Sequence, residues 1–354
     1  MYDWAPIRAI SEVFKWLLDF IYMLVPSYGW SIILLTILFR ALLLPLDIKQ
    51  KVSMKKMSTL QPKIAAINEK YKNDKEKAAQ KTMELYREEK ASPFSGCLPS
   101  LIQLPLFFAF FGALQIIAGQ ELLKLFNTMQ ELINTYGGAA NIPAESLPAL
   151  QSWLWVHNIW QPDTAMFSVV PQGGAFTLMG LDSHIIPPFQ AVQNFKGFKD
   201  VVSADTYNTV MKPLMDLYSK NWNGWFILPV LAGVSSFLQT KITMPPQQAN
   251  PDPKAQANPF NSKTMMYIFP LMSVYFTATS NSIFALYWFT SNICVTVTYK
   301  LFDLYWTRKT KHKEAEEAAR LEQQKKEEAE RIAAAAALKA ARAEAKSKPK
   351  EGKK

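Results

Sequence analysis

Cysteine and histidine are both scarce in this chain of 354 residues, which contains two cysteines and three histidines. Cys97 and Cys294 lie at or within apolar runs, so they predict buried thiols and exclude a framework of disulfides. His157, His184 and His312 are far apart in the sequence and show no spacing typical of a metal site. The sequence also lacks a phosphate-binding glycine loop. We therefore expect no metal site, no cofactor and no catalytic residue.

The first ten residues, MYDWAPIRAI, lack the basic region and the small-residue cleavage site of a secretory signal peptide, so we expect none. Hydrophobic residues make up 49% of the chain, yet the mean hydropathy is −0.03. Long apolar runs must therefore alternate with strongly charged segments. This pattern is typical of a membrane protein that crosses the bilayer several times and carries polar extensions.

Residues 29–46, GWSIILLTILFRALLLPL, form an apolar run with one charged residue, Arg40, inside it. At ~1.5 Å per residue this run makes about 27 Å of helix, close to the hydrocarbon thickness of a bilayer. A guanidinium near the centre of a span costs at least ~2.5–3.5 kcal/mol. Either the long side chain snorkels to the nearer interface, or Arg40 faces a hydrated cavity inside the membrane. Thr36 lies four residues earlier on the same helical face and favours the cavity.

Hydropathy and charge divide the whole chain into spans and polar segments. We predict an interfacial amphipathic helix in residues 1–28, transmembrane helices at 29–46, 97–118, 225–243, 264–280 and 282–302, a basic helical hairpin at 47–96, an insert at 119–224, a loop at 244–263 and a charged tail at 303–354. The predicted fold is an all-α integral membrane protein with five transmembrane helices.

Basic residues are unequally distributed between the segments that flank the predicted spans. The hairpin has twelve lysines and arginines and the segment from residue 300 has sixteen, whereas the 119–224 insert has five. The positive-inside rule places the hairpin, the 244–263 loop and the C-terminus in the cytoplasm, and the N-terminus and the insert outside. Within the hairpin we single out Lys55, Lys56, Lys63 and Lys70. The basic end of the tail predicts an electrostatic contact with ribosomal RNA or anionic lipid.

Polar residues recur four positions apart in four of the five predicted spans, which places each pair on one helical face. The pairs are Thr36/Arg40, Ser235/Gln239, Ser273/Thr277 and Asn292/Thr296, and the 97–118 span has Gln103 at a comparable depth. A single pair of this kind is usually a contact between helices. Five spans that share polarity around one arginine instead predict a common hydrated groove, open toward the cytoplasm.

Several stretches of the sequence resemble the YidC family of membrane protein insertases. They are GWSIILLTILFRALLLPL at 29–46, MKKMSTLQPKI at 54–64, GCLPSLIQLPLFFAFF at 96–111, LWVHNI at 154–159 and LYWFTSN at 286–292. The resemblance implies five membrane helices around a groove that is open to the cytoplasm and to lipid but closed on the outside. It also implies that Arg40 is the groove arginine, with Thr36 and Gln103 beside it.

The same resemblance implies a function: an insertase or chaperone, not an enzyme, that inserts and helps fold the transmembrane segments of client proteins in the bacterial cytoplasmic membrane. The implied form is the one without a large N-terminal outer domain. The hairpin would receive substrates and targeting factors. The expected partners are client proteins with nascent transmembrane segments, the lipid bilayer, the ribosome, the Sec translocon and the signal recognition particle pathway. The chain departs from the family at residues 281–283, where Asn-Ser-Ile replaces the common Pro-Ser-Gly, and in the length of the insert.

The alternative from another class is a small-anion transporter or channel with Arg40 as the anion site. That class predicts polar residues near both faces of the membrane and, often, internal repeats. The spans are apolar at 32–35, 110–111 and 226–228, far from the hairpin, and the chain has no internal repeat. The sequence therefore favours the insertase.

Overall fold

The computed structural model describes residues 5–89, 98–172, 204–243 and 262–347. Within these ranges the chain is all-α, as predicted, and its β pairing is limited to two isolated bridges. The helices are α1 (Ala5–Leu24), α2 (Tyr28–Lys70), α3 (Lys75–Glu88), α4 (Leu98–Tyr136), α5 (Ala204–Leu217), α6 (Ile227–Thr243), α7 (Ser262–Thr279) and α8 (Ser282–Ser347). The chain divides into two compact units, residues 1–299 and residues 300–354.

Two of the described helical stretches are long and apolar enough to cross a membrane by themselves, Tyr28–Lys70 and Pro105–Tyr136. Two shorter apolar stretches, Ile227–Thr243 and Met266–Thr279, lie in α6 and α7. These four coincide with parts of the predicted spans, whereas the full count of five transmembrane helices stays a prediction.

Helix α2 runs without interruption through the predicted boundary between the first span and the hairpin. Its 43 residues make ~65 Å of helix, about twice the hydrocarbon thickness, so much of α2 must lie outside the membrane. A turn at residues 71–74 ends it, and Asp74 caps α3 by accepting a hydrogen bond from Lys77 N at 3.0 Å. An ion pair between Lys63 and Glu89 joins the two arms of the hairpin.

Helix α4 extends well past residue 118, where the sequence predicts that the second span ends. The added turns carry Phe126 and Met129, which are buried in a separate cluster with Tyr207, Met211 and Leu214 of α5. The apolar period of the span thus continues into residues that pack on α5, which explains why the helix does not stop. Part of the insert is therefore a continuation of α4 with its own small core.

The main core lies at the end of the bundle where α2 begins, which we call the Tyr28 end; the opposite end, toward the helical hairpin, is the hairpin end. The core joins α1, α2, α4, the start of α6 and the start of α8, and its largest fully buried members are Leu18, Ile32, Leu35, Leu114, Ile117, Ile159, Leu228 and Ile283. Helix α1 packs on α4 and α2 while Val13, Trp16, Phe20 and Met23 stay exposed. Such an apolar exposed face suits the predicted position of α1 in the membrane interface.

A loop at residues 151–172, which we call the tryptophan loop, fixes the start of α6 through one buried carboxylate. Asp163 is fully buried and accepts hydrogen bonds from Trp225 N at 2.8 Å, Leu228 N at 2.6 Å and Trp155 Nε1 at 3.2 Å. Leu228 N belongs to the first turn of α6, where backbone donors have no helical partner and negative charge is favourable. Gly224 is required here because a Cβ atom would collide with the Asp163 carboxylate.

A pair of buried asparagines joins the same loop to the segment before α6. Asn223 Nδ2 donates to the carbonyls of Asn158 and Pro162, at 3.0 and 2.8 Å, and its Oδ1 accepts from Asn158 N at 2.8 Å. Asn158 Nδ2 donates in turn to Val169 O at 2.8 Å. Both amides are therefore satisfied by backbone groups, as buried polar groups must be.

The turn between α7 and α8 is also held by the tryptophan loop. Ser282 donates both its backbone N–H and its hydroxyl to Gln161 O, at 3.0 and 2.6 Å. Asn281 caps α8, because its Oδ1 accepts from Phe284 N at 3.2 Å. Side-chain capping thus makes the tight turn in a sequence that lacks the proline and glycine common at this position.

We expect Asp163→Asn to destabilise the protein by about 2 kcal/mol, because an amide replaces one acceptor oxygen with a donor and leaves a buried N–H unpaired. Thermal unfolding in detergent measures the change. Asp216→Asn is the control, since Asp216 is 62% exposed and its ion pair with Lys212 lies on the surface. Equal melting temperatures for wild type and Asp163→Asn would contradict this account of the loop.

Candidate functional site

Burial changes abruptly along α2, one residue after Thr36. Tyr28, Ser31, Ile32, Leu35 and Thr36 are all buried. From residue 37 to residue 50, all within the described part of α2, no side chain is buried. The first two turns therefore belong to the packed core, and the part that carries Arg40 is only partly covered, with Phe39 still packed against the core.

Arg40 reaches across from α2 to α8. Its Nε donates to Ser291 Oγ at 3.0 Å, and Nη2 donates to the same hydroxyl. Arg40 itself is half-buried, whereas Ser291 is buried. The contact holds the guanidinium through a neutral group, so Ser291 orients the positive charge without cancelling it.

A second polar contact links α8 to α6 at a neighbouring position. Asn292 Nδ2 donates to Ser235 Oγ at 3.0 Å and to Ser236 Oγ at 2.8 Å, and all three residues are buried. Trp288 Nε1 donates to Ser236 Oγ at 3.0 Å. Two of the predicted groove residues, Ser235 and Asn292, are thus in direct contact, and Ser291 places Arg40 beside them along α8.

The structure places the other predicted groove residues in varied surroundings. Thr36 is buried and donates its hydroxyl to Ile32 O at 2.6 Å within α2, so it does not contact Arg40 through that hydroxyl. Gln239 is half-buried, and its Oε1 is buried without a hydrogen-bond partner among the described residues. Thr296 is half-buried on α8. Gln103 lies on α4, but its side chain is outside the described part of the structure.

The predicted lysines of the hairpin are mostly at the surface. Lys56, Lys63 and Lys70 are exposed, and Lys55 is half-buried. Lys63 forms the ion pair with Glu89, and Lys70 Nζ lies 5.6 Å from the centre of the Tyr71 ring. Surface pairs of this kind contribute little stability, and the exposed Lys56, Lys63 and Lys70 add positive charge to the surface of the hairpin.

Lys51 differs from these lysines because it is buried, with 7% of its surface exposed. Its Nζ has no hydrogen-bond partner among the described residues and lies 5.2 Å from the centre of the Tyr299 ring on α8. Lys51 follows the predicted span, which ends at residue 46. Burial lowers the pKa of Lys51 to about 8, although the nearby Asp47 carboxylate opposes the shift. Burial likewise raises the pKa of Asp47, against the effect of Arg40 and Lys51.

Sequence reasoning missed four residues of this region: Ser291, Ser236, Asp163 and Lys51. Ser291 and Ser236 are next in sequence to the predicted Asn292 and Ser235. A search that included the polar neighbours of each predicted residue could have found them. Among the described residues, no group of three His, Cys, Asp or Glu side chains is arranged to hold a metal ion. The polar contacts described here are made by hydroxyls, an amide, an indole N–H and the guanidinium of Arg40, with Asp47 and Lys51 further along α2.

An all-α chain with two apolar helices long enough to cross a bilayer fits the class of integral membrane proteins. Residues 20–310 match the family described as 60Kd inner membrane protein. The chain accordingly belongs to this family, the YidC family, which confirms the resemblance in the sequence motifs.

Two relatives illustrate the range of similarity within the family. The protein named membrane protein insertase YidC of Fusobacterium nucleatum is 31% identical over 273 residues, or 77% of this chain and 84% of the relative. The protein of the same name from Francisella tularensis subspecies novicida is 26% identical over 291 residues, or 82% of this chain. The match spans only 35% of that longer protein.

We expect Lys51→Met to raise the melting temperature in detergent at neutral pH, because methionine fills the space without a buried charge. Below a pH of about 8 the lysine is protonated in both the folded and the unfolded chain, so the full cost of burial is present. As the pH rises from about 8 toward the ordinary lysine value of ~10.4, the folded protein releases the proton first and the cost fades. The advantage of Lys51→Met should therefore shrink over that interval.

Lys49→Met is the matched control, because Lys49 is exposed two residues earlier on the same helix. Its melting temperature should follow wild type at each pH. An advantage of Lys51→Met that stays constant from about pH 7 to about pH 10 would exclude a buried, titrating ammonium.

Proposed function

We propose that this chain is a membrane protein insertase of the bacterial cytoplasmic membrane. In this proposal a hydrated groove, open at the hairpin end, receives the polar tail of a client protein. Membership of the YidC family and the names of the two relatives support the activity. The observation that carries the mechanism is the half-buried guanidinium of Arg40 on Ser291, beside the buried polar contacts between α6 and α8 and beyond the densely packed apolar core.

The packed end supports a groove that is closed on one side. Ile32, Leu35, Phe110, Leu228 and Ile283 come from four different helices, and each is at most 3% exposed. A polar tail could not stop in such a cluster without losing its hydration. The polar contacts of Arg40 and Asn292 begin one to two turns further along α2 and α8. We assign the hairpin end to the cytoplasm because the basic residues are concentrated in the hairpin and the tail.

Insertion has one expensive step, which is the passage of the client's polar tail through hydrocarbon. The apolar segment that follows favours the bilayer by itself once both of its ends are placed. A fixed guanidinium in a wet groove lowers the cost of the polar tail by pairing transiently with a carboxylate on it. Ser291 holds Arg40 through a neutral hydroxyl, so the guanidinium is oriented for such a pairing while keeping its charge.

The client's apolar segment needs a surface along which to enter the lipid. Helix α7 presents an exposed apolar face made of Tyr267, Ile268, Leu271, Met272 and Tyr275. On its opposite side α7 packs against α6, where Gly233 allows Val274 to approach closely. In our proposal this face contacts lipid in the resting protein and the client segment during insertion.

The small-anion channel is not supported by these features. A channel needs a polar route between the two faces of the membrane. Among the described residues at the Tyr28 end the core is apolar, and the buried polar groups Asp163, Asn158 and Asn223 are engaged in hydrogen bonds between the tryptophan loop and the start of α6. We further propose that the basic end of the tail contacts the ribosome and that the hairpin meets the Sec translocon and the signal recognition particle pathway.

Reconstituted vesicles and a single-span client with an acidic N-terminal tail test the groove mechanism. We expect Arg40→Ala to lower insertion of this client about tenfold or more, the equivalent of one lost charge-assisted contact, and Arg40→Lys to keep most of the activity. The loss should deepen as carboxylates are added to the tail.

Arg87→Ala is the control, because Arg87 is an exposed arginine on α3 and its removal should leave insertion unchanged. Wild type that inserts no better than protein-free vesicles would sink the proposed function itself. If Arg40→Ala instead inserts clients with every tail as well as wild type does, only the proposed role of the Arg40 charge is contradicted.

A further inference from the structure

The buried ammonium of Lys51 is the feature that the groove mechanism leaves unexplained. An ammonium that is 93% removed from solvent and has no hydrogen-bond partner among the described residues is costly. The ring of Tyr299 compensates only in part, because a cation–π contact does not supply the hydrogen-bond acceptor that the ammonium lacks. An apolar side chain of similar length would destabilise the folded protein less at this position. An unfavourable group that the fold nevertheless holds in place marks a candidate for function.

The position of Lys51 relates it to Arg40. The two residues are eleven apart on α2, which places them on nearly the same helical face, with Lys51 ~16 Å further along the helix and inside the segment assigned to the hairpin. Both side chains reach α8, Arg40 at Ser291 and Lys51 at Tyr299. The two helices therefore run side by side in the same direction, with a cationic group between them at two successive depths.

Asp47 lies between the two cations on the same face, four residues before Lys51 and seven after Arg40. Asp47 acts to raise the pKa of Lys51, and Arg40 and Lys51 both act to lower the pKa of Asp47. An anion that enters from the hairpin end would meet Lys51 first, then the repulsion of Asp47, then Arg40. This order gives the anion two separate binding positions of moderate affinity instead of one position of high affinity.

We propose that Lys51 is a second binding site for the carboxylates of the client's polar tail, occupied before the tail reaches Arg40. The ligand is a side-chain or terminal carboxylate of the client. The carboxylate supplies the acceptor that the Lys51 ammonium lacks, while Tyr299 keeps the ammonium facing the space between α2 and α8. This inference rests on the insertase function proposed above and deepens it.

Insertion into vesicles of zwitterionic lipid tests the site with two matched clients, one with aspartates in its tail and one with asparagines at the same positions. We expect Lys51→Met to slow insertion of the aspartate client about tenfold, as for one lost charge-assisted contact, and to leave the asparagine client unchanged. Lys49→Met, which removes an exposed lysine, should behave like wild type with both. Equal insertion of the aspartate client by wild type and Lys51→Met would overturn the inference.

Wild type compared with protein-free vesicles separates the two proposals, because only failure of that comparison removes the insertase function. The same comparison is repeated in vesicles that contain anionic lipid. An effect of Lys51→Met that is equal for both clients and present only in vesicles with anionic lipid would identify a lipid phosphate as the ligand and overturn the carboxylate site.

Carbodiimide coupling tests the contact directly, because it joins a carboxylate to a neighbouring amine. The stalled aspartate client should give a cross-linked peptide that contains Lys51, identified by mass spectrometry, in wild type and in Lys49→Met. The asparagine client should give none. Coupling of the aspartate tail only to other lysines would contradict the proposed position.

Discussion

The charge of Arg40 inside an apolar helix is the constraint on which the rest of this structure depends. A guanidinium keeps its proton under all physiological conditions, so the protein must surround it with polar groups or water. Ser291 provides one neutral acceptor, and the residues of α2 from 37 to 50 remain unburied. The main apolar core, with Ile32 and Leu35 of α2, consequently lies at the Tyr28 end, away from Arg40.

Because the main core lies at the Tyr28 end, the helices that begin there must be held in place. The tryptophan loop holds the starts of α6 and α8. Asp163 binds the first turn of α6, the amides of Asn158 and Asn223 join the loop to the segment before that helix, and Gln161 O accepts from Ser282 at the start of α8. These bonds are buried and lie within the apolar cluster, where each is stronger than in water and expensive to break.

Local patterns in the sequence predicted more than long-range ones. The all-α class and the position of most helices follow from apolar periodicity, whereas the role of Arg40, inferred from its cost in a membrane, stays a prediction. Asp163 was missed because one aspartate in a tryptophan-rich loop looks like a surface residue; its partner Leu228 is 65 residues away. The extension of α4 was missed for a similar reason, since only contact with α5 shows that Phe126 and Met129 are buried.

A groove that conducts a polar tail must bind it weakly at several places, because a single strong site would trap the client. Neutral partners suit this need: Ser291 orients Arg40 and the ring of Tyr299 faces Lys51, and neither cancels the positive charge. Asp47 then limits the combined field of the two cations, so that a carboxylate gains little by remaining between them. In our proposal the loss of stability at Lys51 accompanies its function. An ammonium whose hydrogen bonds were all made within the protein could not bind the carboxylate of a client.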